Sequence, residues 1–435
     1  MIFRRFWFLL VTLILLFTSP VLAQEAGRVA TLMFYNLENL YDTRDDTLHR
    51  DDEFRPEGER HWSNTRFYNK LTALAKVILN TGEWEPPAVL GFCEAENRRV
   101  LEELVHHPLL KRWDYQIIHK DSPDKRGIDV AALYRPDLFT PLSYRYFSPV
   151  AGGEPIPGTR EILYLCGIVG SPGETGDAAG DTLHLFFNHW PSRYGGLMET
   201  RPLRMKAARR LKSEVHALQQ EYRHPFIIIS GDFNDQPHDQ SLVAGLGAQS
   251  KRCHHPDSLV NLSFAWQESG KGTLKYQSQW NIFDQFIISE VLLGPEESSG
   301  ALRSGEPGSR ARKESTPGTR RMKKNKGASS TLESADPANT MESGDPAGTM
   351  KADGSSGIME SEDREGTPNA GGPSAQGKGL CVFPGDARIL EAPFLLEEDE
   401  KFTGTRLRRT YLGFRYQGGF SDHLPVLLSL RRKNH

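Results

Sequence analysis

Short apolar runs that stop or start on a polar side chain constrain the fold of this chain more than any other feature. "VATLMFYN" ends at Asn36, "AVLGFCE" at Glu94, "LHLFFNH" at His189 and "FIIISGD" at Asp232. "DQFIIS" begins at Asp284, and "PVLLSL" follows the pair Asp422–His423. "IDVAALY" to Tyr134 and "ILYLCGIV" to Val169 are runs of the same kind. Their length, their β-branched and aromatic content and the turn residues around them predict strands. Helices are predicted between them. Phe67, Leu71, Leu74 and Ile78 make one apolar face in "NTRFYNKLTALAKVILN", and Leu203, Ala207, Leu211, Val215 and Leu218 make another in "RPLRMKAARRLKSEVHALQQEYR". Strands interspersed with helices, some joined without a helix, predict mixed sheets with helices outside.

In a mixed sheet, the exit of one strand and the entry of its antiparallel neighbour share a rim. Asn36, Glu94, His189 and Asp232 at strand exits are therefore expected to meet Asp284 and Asp422–His423 at strand entries. Glu94, Asp232, Asp284 and Asp422 are hard oxygen ligands or acid/base groups, with Asn36 and Asn234 as neutral partners. That set suits Mg²⁺, with Mn²⁺ or Ca²⁺ as alternatives, better than zinc. A divalent cation also relieves the mutual repulsion of clustered carboxylates. His189 and His423 remain for hydrogen bonding or proton transfer beside an anion, which makes phosphoester hydrolysis the expected chemistry. Taken alone, Asp422–His423 reads equally well as a structural hydrogen bond at a strand start.

Composition limits the partners. The chain has 435 residues, 25% charged and 38% hydrophobic, enough for a sizeable core, and its net charge of -3 gives no global attraction to polyanions. A nucleic-acid substrate would have to be held by local groups. Arg4 and Arg5 precede an apolar run from Phe6 to Phe17 and a small-residue ending at Ala23, the order of a secretory signal peptide over residues 1–23. Export to the periplasm or beyond is the expectation, with no stable membrane span after cleavage. Cys93, Cys166, Cys253 and Cys381 match no metal-ligand spacing, and export permits a disulfide without identifying one. From 294 to 379 the chain is Gly, Ser, Pro, Thr, Glu and Lys with almost no large apolar residue. It includes "DPANTMES" at Asp336 followed by "DPAGTMKA" at Asp345. Such a stretch reads as a disordered insertion within one domain made of 24–293 and 380–435.

The ordered series "FYNLEN", "GFCEAEN", "RGIDVAALYRP", "FNHWPSRYGG", "SGDFND", "WNIFDQFIIS" and "GGFSDHLPV" resembles the endonuclease/exonuclease/phosphatase family, in its bacterial exported subgroup. The resemblance spans Val29 to Leu430 apart from the low-complexity stretch. It implies a DNase I-like α+β fold: two mixed β-sheets packed face to face as a sandwich, helices outside, the site at one end. It implies Glu94 as direct metal ligand, with Asn36, Glu38 and Asp422 completing the metal's surroundings. Where the family commonly has glutamine before that glutamate, this chain has Cys93, which alters the local hydrogen bonding.

By the same resemblance Asp232 and Asn234 orient the attacking water and hold phosphate, and Asp284 pairs with His423. His189 donates to a phosphate oxygen, with Asn188 beside it. Whether Asp232 or His423 is the formal base stays open. Arg193 is expected as a phosphate-side cation, with a surface salt bridge as the plain alternative. Arg126 and Asp129 are expected near the rim, with a turn and a satisfied aspartate as theirs. The resemblance implies a monomeric phosphodiesterase or nuclease. A phosphatase or a lipid or inositol phosphodiesterase is its rival, and a catalytically silent binding module is the alternative of another class.

Overall fold

The structure is a computed structural model that describes residues 28–81, 85–151, 154–156, 159–170, 181–295, 379–383 and 385–432. The expected signal peptide lies outside the described residues, as does all of the expected insertion except its ends. The described residues form one compact unit.

Its strands are β1 (Arg28–Leu40), β2 (Val89–Ala95), β3 (Gln116–Ile118), β4 (Asp129–Tyr134), β5 (Phe139–Phe147), β6 (Ile162–Val169), β7 (Asp181–His189), β8 (Phe226–Asp232), β9 (Ala248–Gln249), β10 (Leu259–Asn261), β11 (Asp284–Ser289), β12 (Leu380–Cys381), β13 (Ala387–Ile389) and β14 (Val426–Arg432), besides short two-stranded ribbons. They build two seven-stranded sheets. One runs β12-β14-β1-β2-β4-β3, with β13 also on β14; the other runs β9-β10-β11-β8-β7-β6-β5. Both are mixed: β1 is parallel to β2 and antiparallel to β14, and β8 is parallel to β7 and antiparallel to β11.

Every predicted strand is present. The short pieces and β5 carry no readable run; β5 buries only its two ends, and its exposed middle mixes polar residues with Leu142 and Tyr144 and includes Pro141.

The sheets pack face to face through one apolar layer. Leu32, Phe34, Val89, Cys93 and Val130 from the first meet Leu163, Leu185, Phe187, Ile228 and Ile288 from the second. At Gly91 the layer is so thin that a Cβ would collide with the Phe187 ring. Alternate residues of the second sheet, among them Phe186, Ile227, Ile229 and Ile287, face outward onto a helix.

That helix, α3 (Leu197–Glu221), buries Ala207, Leu211, Val215 and Leu218 as its stripe predicts. It starts before Pro202, earlier than the sequence suggests; that proline, the sixth residue of the helix, leaves the Met198 carbonyl without its backbone donor. On the first sheet lie α1 (Asn64–Leu79) and α2 (Arg98–Val105), and α1 buries Phe67, Leu71, Leu74 and Ile78. The Ser63 hydroxyl caps α1 by accepting from the Arg66 N–H. Among the described residues no helix is long and apolar enough to cross a membrane, and the four cysteines form no disulfide.

The ends of the low-complexity stretch are stitched together. The Val382 N–H donates to the Leu292 carbonyl and the Gly294 N–H to the Val382 carbonyl, so the chain leaves and rejoins the unit at neighbouring points.

Candidate active site

Register places the polar strand ends in a row. In the second sheet Asp232 at the end of β8 pairs with His189 at the end of β7 and with Asp284 at the start of β11. In the first sheet Asn36 of β1 pairs with Cys93 of β2, one residue before Glu94. His423 lies just before β14 and makes a bridge to Leu274 beside Asp284. The expected shared rim is formed by these two sheet ends.

The backbone there is unusual. Glu38 (φ 50°), Asn39 (φ 55°), Glu94 (φ 63°) and Asn234 (φ 51°) are all left-handed without being glycine. Such conformations cost roughly 1–3 kcal/mol each and persist where surrounding structure holds them. Here they turn the chain at the strand ends. In β1 a bulge between Asn36 and Leu40 lets the Asn39 N–H donate to Glu94 Oε2 (2.9 Å).

Asp232 sits at the centre. Its Oδ1 accepts from the Asn234 N–H (2.9 Å), and its Oδ2 accepts from the Asn36 amide (3.1 Å). The same Oδ2 stands 3.8 Å from His189 Nε2 and 3.8 Å from His423 Nε2. His189 Nε2 is also 3.7 Å from Glu94 Oε1. His423 Nδ1 is bonded to Asp284 Oδ2 at 2.6 Å, and the other Asp284 oxygen is buried without a partner.

The electrostatics separate the two imidazoles. Burial works against a charge on His423, but Asp284 and Asp232 overcome it and hold the ring protonated well above the usual histidine range. Burial, reinforced by Arg160, Arg126 and His423, keeps His189 neutral far below that range. Asp232 is pushed up from the carboxylate range chiefly by burial, with Asp284 and Glu94 adding to it and His423 opposing.

Several expected residues are engaged elsewhere. Glu38 accepts from the Thr410 N–H (2.6 Å) and lies beside Arg409 (3.3 Å) and buried Lys70 (3.8 Å). Asp422 is tied to Arg409 at 2.8 Å, which with His423 and Lys70 outweighs burial and holds its carboxyl below the usual range. These two carboxylates therefore brace the loop before β14. Asn188 is fully buried: its amide donates to the Ser230 carbonyl and its oxygen accepts from Trp190 Nε1. Strand alternation turns it to the face opposite His189.

Arg193 makes ion pairs with Asp235 (3.0 Å) and Asp239 (2.7 Å) and donates to the Asn234 carbonyl (2.7 Å), so it anchors the "GDFND" turn. Arg126 is half exposed beside Asp124, and Asp129 is satisfied by His119 and the Ser122 N–H. Lys70, Arg160 and Arg409 were not singled out from sequence. A lysine on the apolar stripe of α1 was the one readable sign. Arg160, buried and paired with Asp124 (2.9 Å), and Arg409 sit in segments without a motif.

A two-sheet sandwich whose rim gathers Glu94, Asp232, Asp284 and two imidazoles, one charged and one neutral, defines a phosphoester hydrolase of the DNase I-like class. The chain belongs to the endonuclease/exonuclease/phosphatase family, whose model matches residues 31–304 and 373–432. Among solved structures it is similar to a family member from Bacteroides thetaiotaomicron (12% identity, 93% of this chain and 98% of that chain, TM-score 0.46). It is also similar to D. rerio TDP2 complexed with a single-strand DNA product (10% identity, 92% and 98%, TM-score 0.43). A third is the human Nocturnin catalytic domain with bound sulfate (14% identity, 61% and 84%, TM-score 0.40). No curated protein matches the chain.

Proposed function

We propose that this protein is a divalent-metal-dependent phosphodiesterase with nucleic acid as its first substrate class. The observation that carries the reading is the place of Asp232 Oδ2, 3.8 Å from each of two imidazoles held in opposite protonation states. His423, kept charged by Asp284, donates to a phosphate oxygen. Asp232, oriented by Asn36 and Asn234, accepts the proton of the attacking water, which makes it rather than His423 the base. His189 donates to a second phosphate oxygen through its one N–H, and Arg126 supplies a half-exposed cation. Preorganised donors of this kind stabilise charge that develops in the transition state.

The residues fit a hard cation. Glu94 Oε1 makes no hydrogen bond among the described residues, and one oxygen of nearby Asp284 is buried without a partner. Glu94 and Asn36 would hold Mg²⁺, with Mn²⁺ or Ca²⁺ as alternatives, and the bound ion supplies charge neutralisation at the phosphate. The basic n-region and apolar run of residues 1–23 support export. The composition of 294–379 supports an insertion into one catalytic domain.

The test is a panel of plasmid DNA, RNA, bis-p-nitrophenyl phosphate, p-nitrophenyl phosphate and sphingomyelin, each with Mg²⁺ or EDTA. Diester cleavage that EDTA abolishes is the expected result. Turnover of the monoester alone would make the protein a phosphatase, and sphingomyelin cleavage alone a lipid phosphodiesterase. Silence on every substrate would leave a binding module.

A further inference from the structure

Beneath the oxygen-rich face of this site lies a donor set of a different character. Cys93 Sγ, a ring nitrogen of His189 and a carboxylate oxygen of Asp232 all lie within 4.8 Å of one another, and all three residues are buried. Strand pairing fixes the thiol there: Cys93 is flanked by Asn36 of β1 and Val130 of β4, and it is fully buried. A second observation points to a ligand. The His189 ring, only 4% exposed, makes no hydrogen bond among the described residues; Nδ1 is orphaned, and Nε2 faces Asp232 Oδ2 at 3.8 Å. A buried imidazole with no partner is rare, because a buried polar group usually finds one.

The geometry points to a zinc site formed by Cys93, His189 and Asp232, separate in chemistry from the hard-cation position at Glu94. One sulfur, one imidazole nitrogen and one carboxylate oxygen are the three donor types zinc takes, with bonds of about 2.0–2.3 Å and an open fourth position. Mg²⁺ has no use for the thiolate, whereas a borderline-soft ion gains from it. The donors need only draw in by a fraction of their present separation. As the Sγ–metal bond forms, the thiol proton leaves to solvent, and no electron changes hands. An ion so placed takes His189 and Asp232 out of hydrolysis. Zinc should then inhibit in the presence of excess Mg²⁺, a consequence that rests on the function proposed above, whereas binding itself does not.

The test reads binding without substrate, so it stands apart from any failure of that functional reading. Co²⁺, a spectroscopic stand-in for zinc, is titrated into the full-length protein. The expected result is a stoichiometric sulfur-to-cobalt charge-transfer band that zinc displaces. Cys93→Ser should abolish the band, and Cys253→Ser, which alters the exposed cysteine, should leave it intact. His189→Ala should weaken cobalt affinity by more than the roughly 10–100-fold typical of losing an outer partner. Absence of the band in the unaltered protein, its survival in folded Cys93→Ser, or its loss in Cys253→Ser would overturn the site. Should Cys93→Ser fail to fold by circular dichroism, unchanged cobalt affinity in His189→Ala or Asp232→Asn would overturn it equally.

Discussion

Asp284 stands 2.6 Å from His423 Nδ1, and among the described residues no other side chain hydrogen-bonds that ring to hold its tautomer. Asp284→Asn keeps the shape but offers an amide where a carboxylate accepted the proton. The imidazole is then no longer held charged, and kcat should fall roughly a hundredfold or more with little change in KM. Steady-state kinetics on a diester would show it; an unchanged kcat would remove His423 from proton transfer. Away from the site, His184 is buried against Tyr164, whose hydroxyl meets its Nδ1 at 2.8 Å, and burial lowers its pKa to about 4. The unfolded chain binds a proton here near the ordinary histidine value and the folded one does not. Stability is therefore full above the unfolded value and is lost as pH falls towards about 4. The loss amounts to about 3 kcal/mol, and His184→Phe should flatten that part of the acid unfolding curve.

At the scale of elements, α1 does more than cover a sheet. Lys70, 1% exposed, reaches from it to Thr410 Oγ1 and the Phe420 carbonyl at 2.5 Å each, with Glu38 at 3.8 Å. It thereby ties the end of β1 to the loop that carries Ser421, Asp422 and His423. Burial brings its pKa down to about 8, and the Glu38 carboxylate opposes that fall. Lys70→Met should destabilise the fold by about 3 kcal/mol, as loss of one partner of a buried pair does, and should lower kcat more than it raises KM. Thermal melts and kinetics together check this, and a melt unmoved by the change would refute the tie.

The eight predicted strands were legible because each is a continuous apolar run closed by a turn or a polar residue. Lys70, Arg409 and Arg160 were not, since their partners lie far along the chain and no local pattern encodes such pairings. Asn188 shows the same limit from the other side. It shares a motif with His189, yet one step along a strand reverses the face.

For the whole molecule, the site exists because two sheets end together. Their separation is set by residues such as Gly91, which lets the Phe187 ring sit against the backbone of β2. Gly91→Val should force the sheets apart there and cost about 1–3 kcal/mol by overpacking, with kcat reduced since Glu94 and His189 lie on opposite sheets. Denaturant melts would register it. The shared rim was legible from which residues sat at strand ends. The contacts that Arg409 and Lys70 make with Glu38 and Asp422 were not, because they join residues far apart along the chain.

The account as a whole requires Asp232, Asp284 and His423 to act as one unit on a phosphoester. The most direct measurement is a double-mutant cycle in Mg²⁺-dependent diester hydrolysis, using Asp284→Asn, His423→Ala and the two combined. The account predicts that the double variant loses no more than His423→Ala alone, about two orders of magnitude or more. Two losses that simply add, or a His423→Ala enzyme as active as the parent, would contradict it.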